Sequence, residues 1–245
     1  DVAGSVFRVG GEPLTPARER LVRAAGCRAL PRYSLAEAGN LGLACGRPEV
    51  ADEVHLVTDR VAVLQRQREV GSGAARVEAL VLTTLVPESP KLLLNVEIDD
   101  YGVLSSRRCG CLLEEVGLTR HLHTVRSYDK LTTLGMSFLG GELIELLDEV
   151  LPARFGGAPG DYQLVESESP QGLPRIDLVV HPRVGELAHA EVVDTVLARL
   201  GDHRDARRMM ARLWRDGAAL RVVRSEPMVS AAAKVLPLHL VREPR

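Results

Sequence analysis

The alternation of apolar and polar residues divides the first half of the chain into short strands and one helix. Brief apolar runs predict strands at 3–9, 27–30, 55–57, 61–64 and 77–85. Thr15 followed by Pro16 fits the cap and first position of a helix, which is predicted to end at Gly26. Tracts rich in turn-forming or polar residues predict turns or loops at 33–39, 66–76 and 99–102. This half is therefore predicted to be rich in β-structure.

A second block with a different pattern begins near residue 126. Apolar residues recur at helical spacing in 140–151, 188–200 and about 203–215. Short apolar runs predict strands at 162–166, 176–181 and 220–223. This order of elements predicts a small α+β sandwich. We therefore expect two domains, residues 1–125 and residues 126–245.

Composition excludes several classes of function. The formal net charge of −2 argues against a nucleic-acid surface, and 3% aromatic residues provide few platforms for stacked bases. No apolar run reaches the roughly 18 residues that span a bilayer. The chain starts at Asp1 without a signal peptide, so we expect a cytoplasmic protein and a piece of a longer chain. Partners are then expected to be neither nucleic acid nor membrane.

The four cysteines suggest a metal site. Cys109 and Cys111 flank one glycine, which permits the tight turn that brings two thiolates to one ion. Cys45 and His55 complete a Cys₃His set, the ligand number of a closed structural zinc site. The remaining cysteine, Cys27, is predicted to be a small buried hydrophobic residue.

Alternatives to this ligand set remain open from spacing alone. The pair could be two reduced surface thiols in a loop, or Cys27 could replace the histidine in a Cys₄ site. His121 and His123 alternate along a strand-like run and could form a second metal pair, but partial exposure on a strand is the favoured interpretation.

Five motifs follow one another in an order that resembles the adenylate-forming enzymes, and the phenylacetate–coenzyme A ligase branch in particular. They are Gly-Gly-Glu-Pro-Leu at 10–14, Arg-Tyr-Ser-Leu-Ala-Glu at 32–37, Ile-Asp-Asp-Tyr-Gly at 98–102, Arg-Ser-Tyr-Asp-Lys-Leu at 126–131 and Ala-Ala-Ala-Lys-Val-Leu at 231–236. The resemblance covers nearly the whole chain but only the later half of a typical member. That branch carries a Cys, His and Cys-x-Cys zinc set, which strengthens the prediction for this chain.

The resemblance implies a nucleotide-binding role for five residues. Gly11, Glu12 and Tyr33 would hold adenine, since glycine allows close backbone approach and tyrosine offers a flat face. Asp100 would accept hydrogen bonds from the ribose hydroxyls, and Arg126 would reach the ribose or a phosphate. Without the resemblance, Asp100 is equally a turn residue bonded to its own backbone, and Arg126 a linker charge.

Two further residues inherit catalytic roles from the resemblance. Glu37 would hold Mg²⁺ on the phosphates of ATP, and Lys234 would neutralise charge while the adenylate forms. Without it, Glu37 is a solvated turn residue and Lys234 a surface lysine. Several positions depart from the family motifs: Ser34, Ala36, Asn95 to Asp99, Val125 and Ala233.

The resemblance implies a fold of mixed class and a two-step reaction. Residues 1–125 would be the α/β end of a large domain with a β-rich subdomain and a zinc knuckle, followed by a mobile α+β lid. A carboxylic acid and ATP would give an acyl-adenylate, which coenzyme A or a carrier-protein thiol would consume.

The family's phosphate loop precedes the first motif and has no match in this chain, so a non-catalytic zinc-stabilised remnant that binds a partner or nucleotide is the alternative. The oligomeric state stays open, with a homodimer among the options.

Overall fold

The protein divides into two compact units. A computed structural model describes residues 2–70, 75–127, 132–133, 136–137, 140–168, 174–201, 205–216, 219–230 and 234–241. The units comprise residues 1–130 and 131–245. Each unit has its own hydrophobic core and is described by itself.

One mixed sheet organises the first unit. Its described elements are β1 (Val6–Val9), α1 (Pro16–Ala24), β2 (Arg28–Leu35), β3 (Gly39–Ala44), β4 (Val54–Leu56), β5 (Val61–Val70), β6 (Ala75–Thr84), β7 (Val96–Ser106), α2 (Leu112–Glu115) and β8 (Arg120–Ser127). The strand order is β1-β2-β3-β4-β8-β7-β6-β5. The β1–β2 pair, joined by α1, is parallel, and all the other pairs are antiparallel. Sequence-distant strands, such as β4 and β8, therefore become neighbours.

The helix and buried positions of this unit follow the sequence pattern. The Thr15 hydroxyl accepts a hydrogen bond from the Arg18 N–H at 3.3 Å, so the predicted cap of α1 is confirmed. Cys27 is 4% exposed, as expected for a buried hydrophobic residue. The core consists of apolar side chains from five strands and one loop: Leu41, Val54, Leu56, Val61, Val63, Leu80, Leu82, Leu93 and Leu122.

The predicted loop at 66–76 is wrong where the structure describes it. Strands β5 and β6 pair from Val61↔Thr84 to Val70↔Ala75, and residues 71–74 lie outside the described part. Residues 64–69 of β5 are exposed, although Val77 and Ala79 of the paired strand are buried, so this part of β5 carries no apolar alternation. Backbone hydrogen bonds pair this part of β5 with β6, and its side chains show no apolar periodicity that would have predicted a strand.

Two predicted turns also prove to be strands, wholly or in part. Residues 99–102 lie inside β7, where the register shifts between Tyr101 and Val103 and Asp99 has a φ of 60°. The turn-forming residues thus serve a β-bulge within a continuous strand. The turn predicted at 33–39 is shorter, because β2 continues to Leu35 and β3 starts at Gly39.

The second unit has an α+β organisation, as predicted. Its described elements are β9 (Thr132–Thr133), β10 (Met136–Ser137), α3 (Gly140–Glu145), a π-helical turn (Leu146–Val150), α4 (Leu151–Phe155), β11 (Tyr162–Glu168), β12 (Pro174–Val180), a 3₁₀ turn (Pro182–Val184), α5 (His189–Gly201), α6 (Asp205–Asp216), β13 (Leu220–Arg224) and β14 (Leu238–Leu240). The main sheet has the order β13-β12-β11-β14. Strand β14 has no counterpart among the predicted elements.

Alternate residues of the central strand β11 face opposite sides of this sheet. Tyr162 and Leu164 are buried in a core that also contains Leu147, Val196 and Trp214 from the helices. Gln163 therefore faces the side away from that core. No described helix of either unit is long and apolar enough to cross a membrane.

Candidate functional site

Three elements of the first sheet bring the predicted metal ligands together. Cys45 directly follows β3, and its backbone N–H donates to the Glu53 carbonyl just before β4. His55 lies in the middle of β4, opposite His121 of β8. Cys109 and Cys111 lie in the connection from β7 to α2, and β7 pairs with β8. Sheet pairing thus joins ligands that are up to 66 residues apart, from Cys45 to Cys111.

The ligand atoms of Cys45, His55, Cys109 and Cys111, here called the Cys–His cluster, converge on one point. All four lie within 4.8 Å of one another, and all except Cys109 are buried. The His55 Nε2 is 3.2 Å from the Cys111 Sγ and 3.5 Å from the Cys109 Sγ. Cys27 is not a member of this group, so the structure favours the Cys₃His set over the Cys₄ alternative.

The backbone fixes which nitrogen of His55 faces the thiols. The His55 Nδ1 is 2.6 Å from the Leu118 carbonyl oxygen, which can only accept a hydrogen bond. The proton is therefore on Nδ1, and Nε2 presents its lone pair to the cluster. A metal-ligating histidine is typically oriented by such a bond from its other nitrogen.

The three thiols differ in acidity. Burial is the main reason that the pKa of Cys45 is raised to about 12, and burial also raises the pKa of Cys109. For Cys111, burial is outweighed by hydrogen bonds from the backbone N–H groups of Glu114 and Gly46, and the pKa falls to about 6. One thiol of the cluster is thus prepared to ionise near neutral pH.

Two glycines keep the cluster compact. Gly110, between the two cysteines, has a φ of 68°, which side chains other than glycine rarely adopt. A Cβ on Gly46 would lie 3.1 Å from the Cys111 Cβ. The Glu114 carboxylate accepts the N–H groups of Cys109 and Gly110, each at 2.5 Å. The turn that presents the Cys-x-Cys pair is therefore held from both sides.

A buried charged layer lies behind the cluster, and no pattern in the sequence predicted it. Glu53 is 1% exposed and accepts hydrogen bonds from the Arg107 Nε at 2.9 Å and Nη2 at 2.6 Å. Burial would raise the pKa of Glu53, but the Glu49 N–H and Arg107 outweigh it and lower the pKa. The Arg107 Nη2 is also 3.7 Å from the Cys45 Sγ. Arg107 thus links the buried carboxylate to a cluster thiol.

The two histidines of β8 differ from each other. His121 is fully buried, so the expectation that it is partly exposed is wrong. Its ring centroid is 4.0 Å from that of His55, and its Nδ1 is 2.6 Å from the Glu53 Oε1. Neither ring nitrogen has a well-aligned hydrogen bond within the described part of the chain. His123 is partly exposed, as expected, and its Nδ1 contacts the Thr124 hydroxyl at 2.9 Å.

A pocket of about 260 Å³, here called the Tyr33 pocket, lies in the first unit. Its walls come from the segment after β1, from β2, from the start of β4, and from β7 and β8. All five residues predicted to bind a nucleotide line it: Gly11, Glu12, Tyr33, Asp100 and Arg126. Gly11 and Arg126 are 115 positions apart in the sequence, so the fold brings together residues that only the order of the motifs connects.

Four of the five predicted nucleotide-binding residues in the Tyr33 pocket have side chains that are paired with other protein groups. The Tyr33 hydroxyl donates to the Asp100 carboxylate at 2.9 Å, and burial, followed by the Asp100 charge, strongly raises the Tyr33 pKa. The Arg126 Nη1 donates to Asp52 at 2.9 Å. Asp52, which the sequence did not identify, also accepts the Thr124 N–H at 3.1 Å. Glu12 forms a 2.6 Å ion pair with Arg18.

The structure does not place the two predicted catalytic residues in this pocket. Glu37 lies in the turn between β2 and β3, is absent from the pocket lining, and has the Lys91 Nζ 3.9 Å away. Lys234 belongs to the second unit, where its N–H donates to the Ser230 hydroxyl at 3.2 Å. The lining of the Tyr33 pocket therefore includes the five predicted binding residues but neither Glu37 nor Lys234.

The chain resembles solved structures of ligases. No protein-family model and no curated protein matches it. The GH3.15 acyl acid amido synthetase has a TM-score of 0.53 and 11% identity over 92% of this chain and 44% of its own. The anthranilate CoA ligase AuaEII, solved with anthranoyl-AMP, has a TM-score of 0.49 and 11% identity over 94% and 43%. A 2-hydroxyisobutyryl-CoA ligase, solved with 2-HIB-AMP and CoA, has 0.38 and 15% over 95% and 48%.

These likenesses are evidence about fold. At 11% identity, the GH3.15 match shows that the chain shares the fold of part of that synthetase. The two CoA ligases have lower TM-scores. The chain spans less than half the length of each of these three proteins.

Proposed function

We propose that this chain is the later part of an adenylate-forming acid–thiol ligase related to the phenylacetate–coenzyme A ligases. The observation that carries the proposal is the Tyr33 pocket, which gathers Gly11, Glu12, Tyr33, Asp100 and Arg126. These positions were selected by their order in the sequence, and an unrelated fold would scatter them. The shared fold with part of an acyl acid amido synthetase supports the same conclusion.

In this proposal the pocket binds the nucleoside of ATP. The Asp100 carboxylate accepts hydrogen bonds from the ribose hydroxyls, and Tyr33 lies against the purine. Gly11, with a φ of 78°, lets the backbone approach the base closely. Arg126 contributes a positive charge toward the phosphate end. Its bond to Asp52 keeps that guanidinium in place before the nucleotide arrives.

The proposed reaction has two steps. A carboxylate oxygen of the acid attacks the α-phosphorus of ATP, which forms an acyl-adenylate and releases pyrophosphate. The sulfur of a thiol, from coenzyme A or a carrier protein, then attacks the acyl carbonyl carbon and releases AMP, while the thiol proton is lost. Lys234 would offset the negative charge that develops in the first step. Bound Mg²⁺, for which Glu37 is the proposed ligand, would neutralise phosphate charge.

The Cys–His cluster is proposed to hold a structural zinc ion. Three thiols and one imidazole are the donors that zinc prefers, and the fixed Nδ1 proton of His55 leaves Nε2 ready to ligate. Four protein ligands leave no position open for a substrate. Such an ion would fasten the connection after β7 to the end of β3 and to β4.

A non-catalytic zinc-stabilised remnant is the second candidate. The observation that favours it is the position of Glu37, which lies outside the Tyr33 pocket and faces Lys91. The changes at Ser34, Ala36 and Ala233 remove further features of the family motifs. This candidate would keep nucleotide or partner binding but would form no adenylate.

ATP–pyrophosphate exchange in the natural protein distinguishes the two candidates. A panel of aryl and fatty acids should identify an acid that supports exchange. Lys234→Ala should then lower the rate on the order of 10²–10³-fold, because the charge of the transition state loses its cation. Lys234→Arg, which keeps the charge with another shape, should retain part of the rate. Equal exchange by wild type and Lys234→Ala, or none with any acid, would contradict the ligase.

A further inference from the structure

A fully buried glutamine lies at the centre of the sheet in the second unit. Gln163 is 0% exposed, although it faces away from the helices that cover the other side of β11. A buried carboxamide without partners would be costly, so the groups that satisfy it are informative. Its partners come from a segment more than 60 residues further along the chain.

The Gln163 carboxamide uses both of its donors and its acceptor on backbone groups. Its Nε2 donates to the Met228 carbonyl at 3.0 Å and to the Leu236 carbonyl at 2.8 Å. Its Oε1 accepts the Met228 N–H at 2.7 Å. One side chain therefore binds both ends of the segment 228–236.

Lys234 lies between these two ends. Val229 and Val235 form an isolated antiparallel bridge. Within that bridge, the Ser230 N–H donates to the Lys234 carbonyl at 2.8 Å, and the Lys234 N–H donates to the Ser230 hydroxyl at 3.2 Å. The backbone of Lys234 is thus fixed by local pairs, and Gln163 fixes those pairs to β11.

We propose that Gln163 is the positioning residue of Lys234, because its carboxamide clamps both ends of the segment that carries the lysine. The inference rests on the proposed function, since Lys234 needs a fixed position only if it acts on a substrate. The clamp is independent of activity and can be measured alone. A lysine side chain is long and flexible, so a fixed backbone limits where its ammonium can reach.

Hydrogen–deuterium exchange tests the clamp directly. Gln163→Leu has a similar size but removes all three hydrogen bonds, so the amides of 228–230 and 234–236 should exchange about tenfold faster or more, while β11 and β12 stay protected. Gln163→Asn is a milder variant, because it keeps the carboxamide on a shorter side chain that cannot reach both ends. The exchange rate of the same amides should therefore increase less than in Gln163→Leu. The matched control is Val165→Ala, which trims a side chain that is 5% exposed on the same face. Unchanged exchange in both Gln163 variants would overturn the clamp.

Kinetics test the positioning role. In ATP–pyrophosphate exchange by the natural protein, Gln163→Leu should lower kcat about tenfold or more with little change in the KM for ATP. Val165→Ala should leave kcat near the wild-type value. In a Lys234→Ala background, Gln163→Leu should cause no further loss, because the residue that it positions is gone.

The outcomes separate the two ideas. Faster exchange of 228–236 with an unchanged kcat, in a protein that needs Lys234, would overturn the positioning role. Full activity of Lys234→Ala would overturn the proposed function and the catalytic part of this inference together. The deuterium data would then still decide whether Gln163 holds the segment.

Discussion

The Cys–His cluster and the Tyr33 pocket are built on the same eight-stranded sheet, but their polar groups are arranged in opposite ways. In the cluster, three thiols and one imidazole point at one another within 4.8 Å. In the pocket, three polar groups face partners of complementary kind: Tyr33 faces Asp100, Arg126 faces Asp52 and Glu12 faces Arg18. The cluster thus concentrates metal-ligating atoms at one point, whereas the pocket contains separate pairs of complementary hydrogen-bonding groups.

This difference has consequences for how each site depends on a ligand. Thiolates held so close repel one another, so a cation is required before all three can ionise. The pocket groups already satisfy each other, and a nucleotide must replace some of those bonds to bind. Ligand removal should therefore destabilise the cluster strongly and the pocket hardly at all.

The largest effect is expected at the cluster. Cys111→Ser should reduce the metal content from about one zinc ion per chain to nearly none, and should lower the free energy of unfolding by several kcal/mol, since metal binding and folding are coupled. Elemental analysis and denaturant unfolding measure the two effects. Cys27→Ser is the matched control, because that buried thiol donates to the Val2 carbonyl outside the cluster and should leave the metal in place. A metal-free wild type would contradict the proposed site.

A smaller effect is expected behind the cluster. Arg107→Ala should lower the free energy of unfolding by about 3 kcal/mol, because the buried Glu53 carboxylate loses its cation. Chemical denaturation provides the measurement. Arg108→Ala, in the exposed neighbouring position, should change little. Equal stability of the two variants would show that Glu53 does not depend on Arg107.

The smallest effect is expected within the pocket. Tyr33→Phe removes the hydroxyl that donates to Asp100, which should lower the free energy of unfolding by about 1–2 kcal/mol. The Tyr33 pKa is raised in the folded protein, so the stability from this bond is fully present below the unfolded value of 10.0 and is lost only at higher pH. The difference between wild type and Tyr33→Phe should thus be constant from about pH 6 to 9. A difference that changes across this range would contradict the pairing.

The cluster could be predicted in part because metal ligation restricts the type of residue. Spacing alone left two surface thiols or a Cys₄ site as alternatives, and the resemblance strengthened the choice of Cys45, His55, Cys109 and Cys111, which the sheet brings together. The five pocket residues required a resemblance, since nothing in the chemistry of Asp100 or Tyr33 alone distinguishes them from turn and strand residues. Glu53, Asp52 and Arg107 gave no signal, because their roles depend on which strands become neighbours.

The predictions of the fold were wrong or incomplete where exposure, a bulge or a distant contact changes the local pattern. Residues 64–69 of β5 are exposed, so they lack the apolar alternation that marks a strand. The Asp99–Asp100 pair is typical of a turn but serves a bulge in β7. Gln163, for which the sequence analysis made no prediction, alternates along β11 with the core residues Tyr162 and Leu164. It is buried because a segment from the end of the chain covers it, and no local pattern reports so distant a contact.

Calorimetric titration of the natural protein with ATP tests whether the Tyr33 pocket holds the nucleoside. We expect one binding site per chain, and Asp100→Asn should weaken binding on the order of 10–100-fold, because an ionised acceptor for the ribose is lost. The matched control is Asp99→Asn, since Asp99 does not line the pocket and asparagine tolerates its φ of 60°. No binding by wild type, or equal binding by wild type and Asp100→Asn, would contradict nucleotide binding in this pocket.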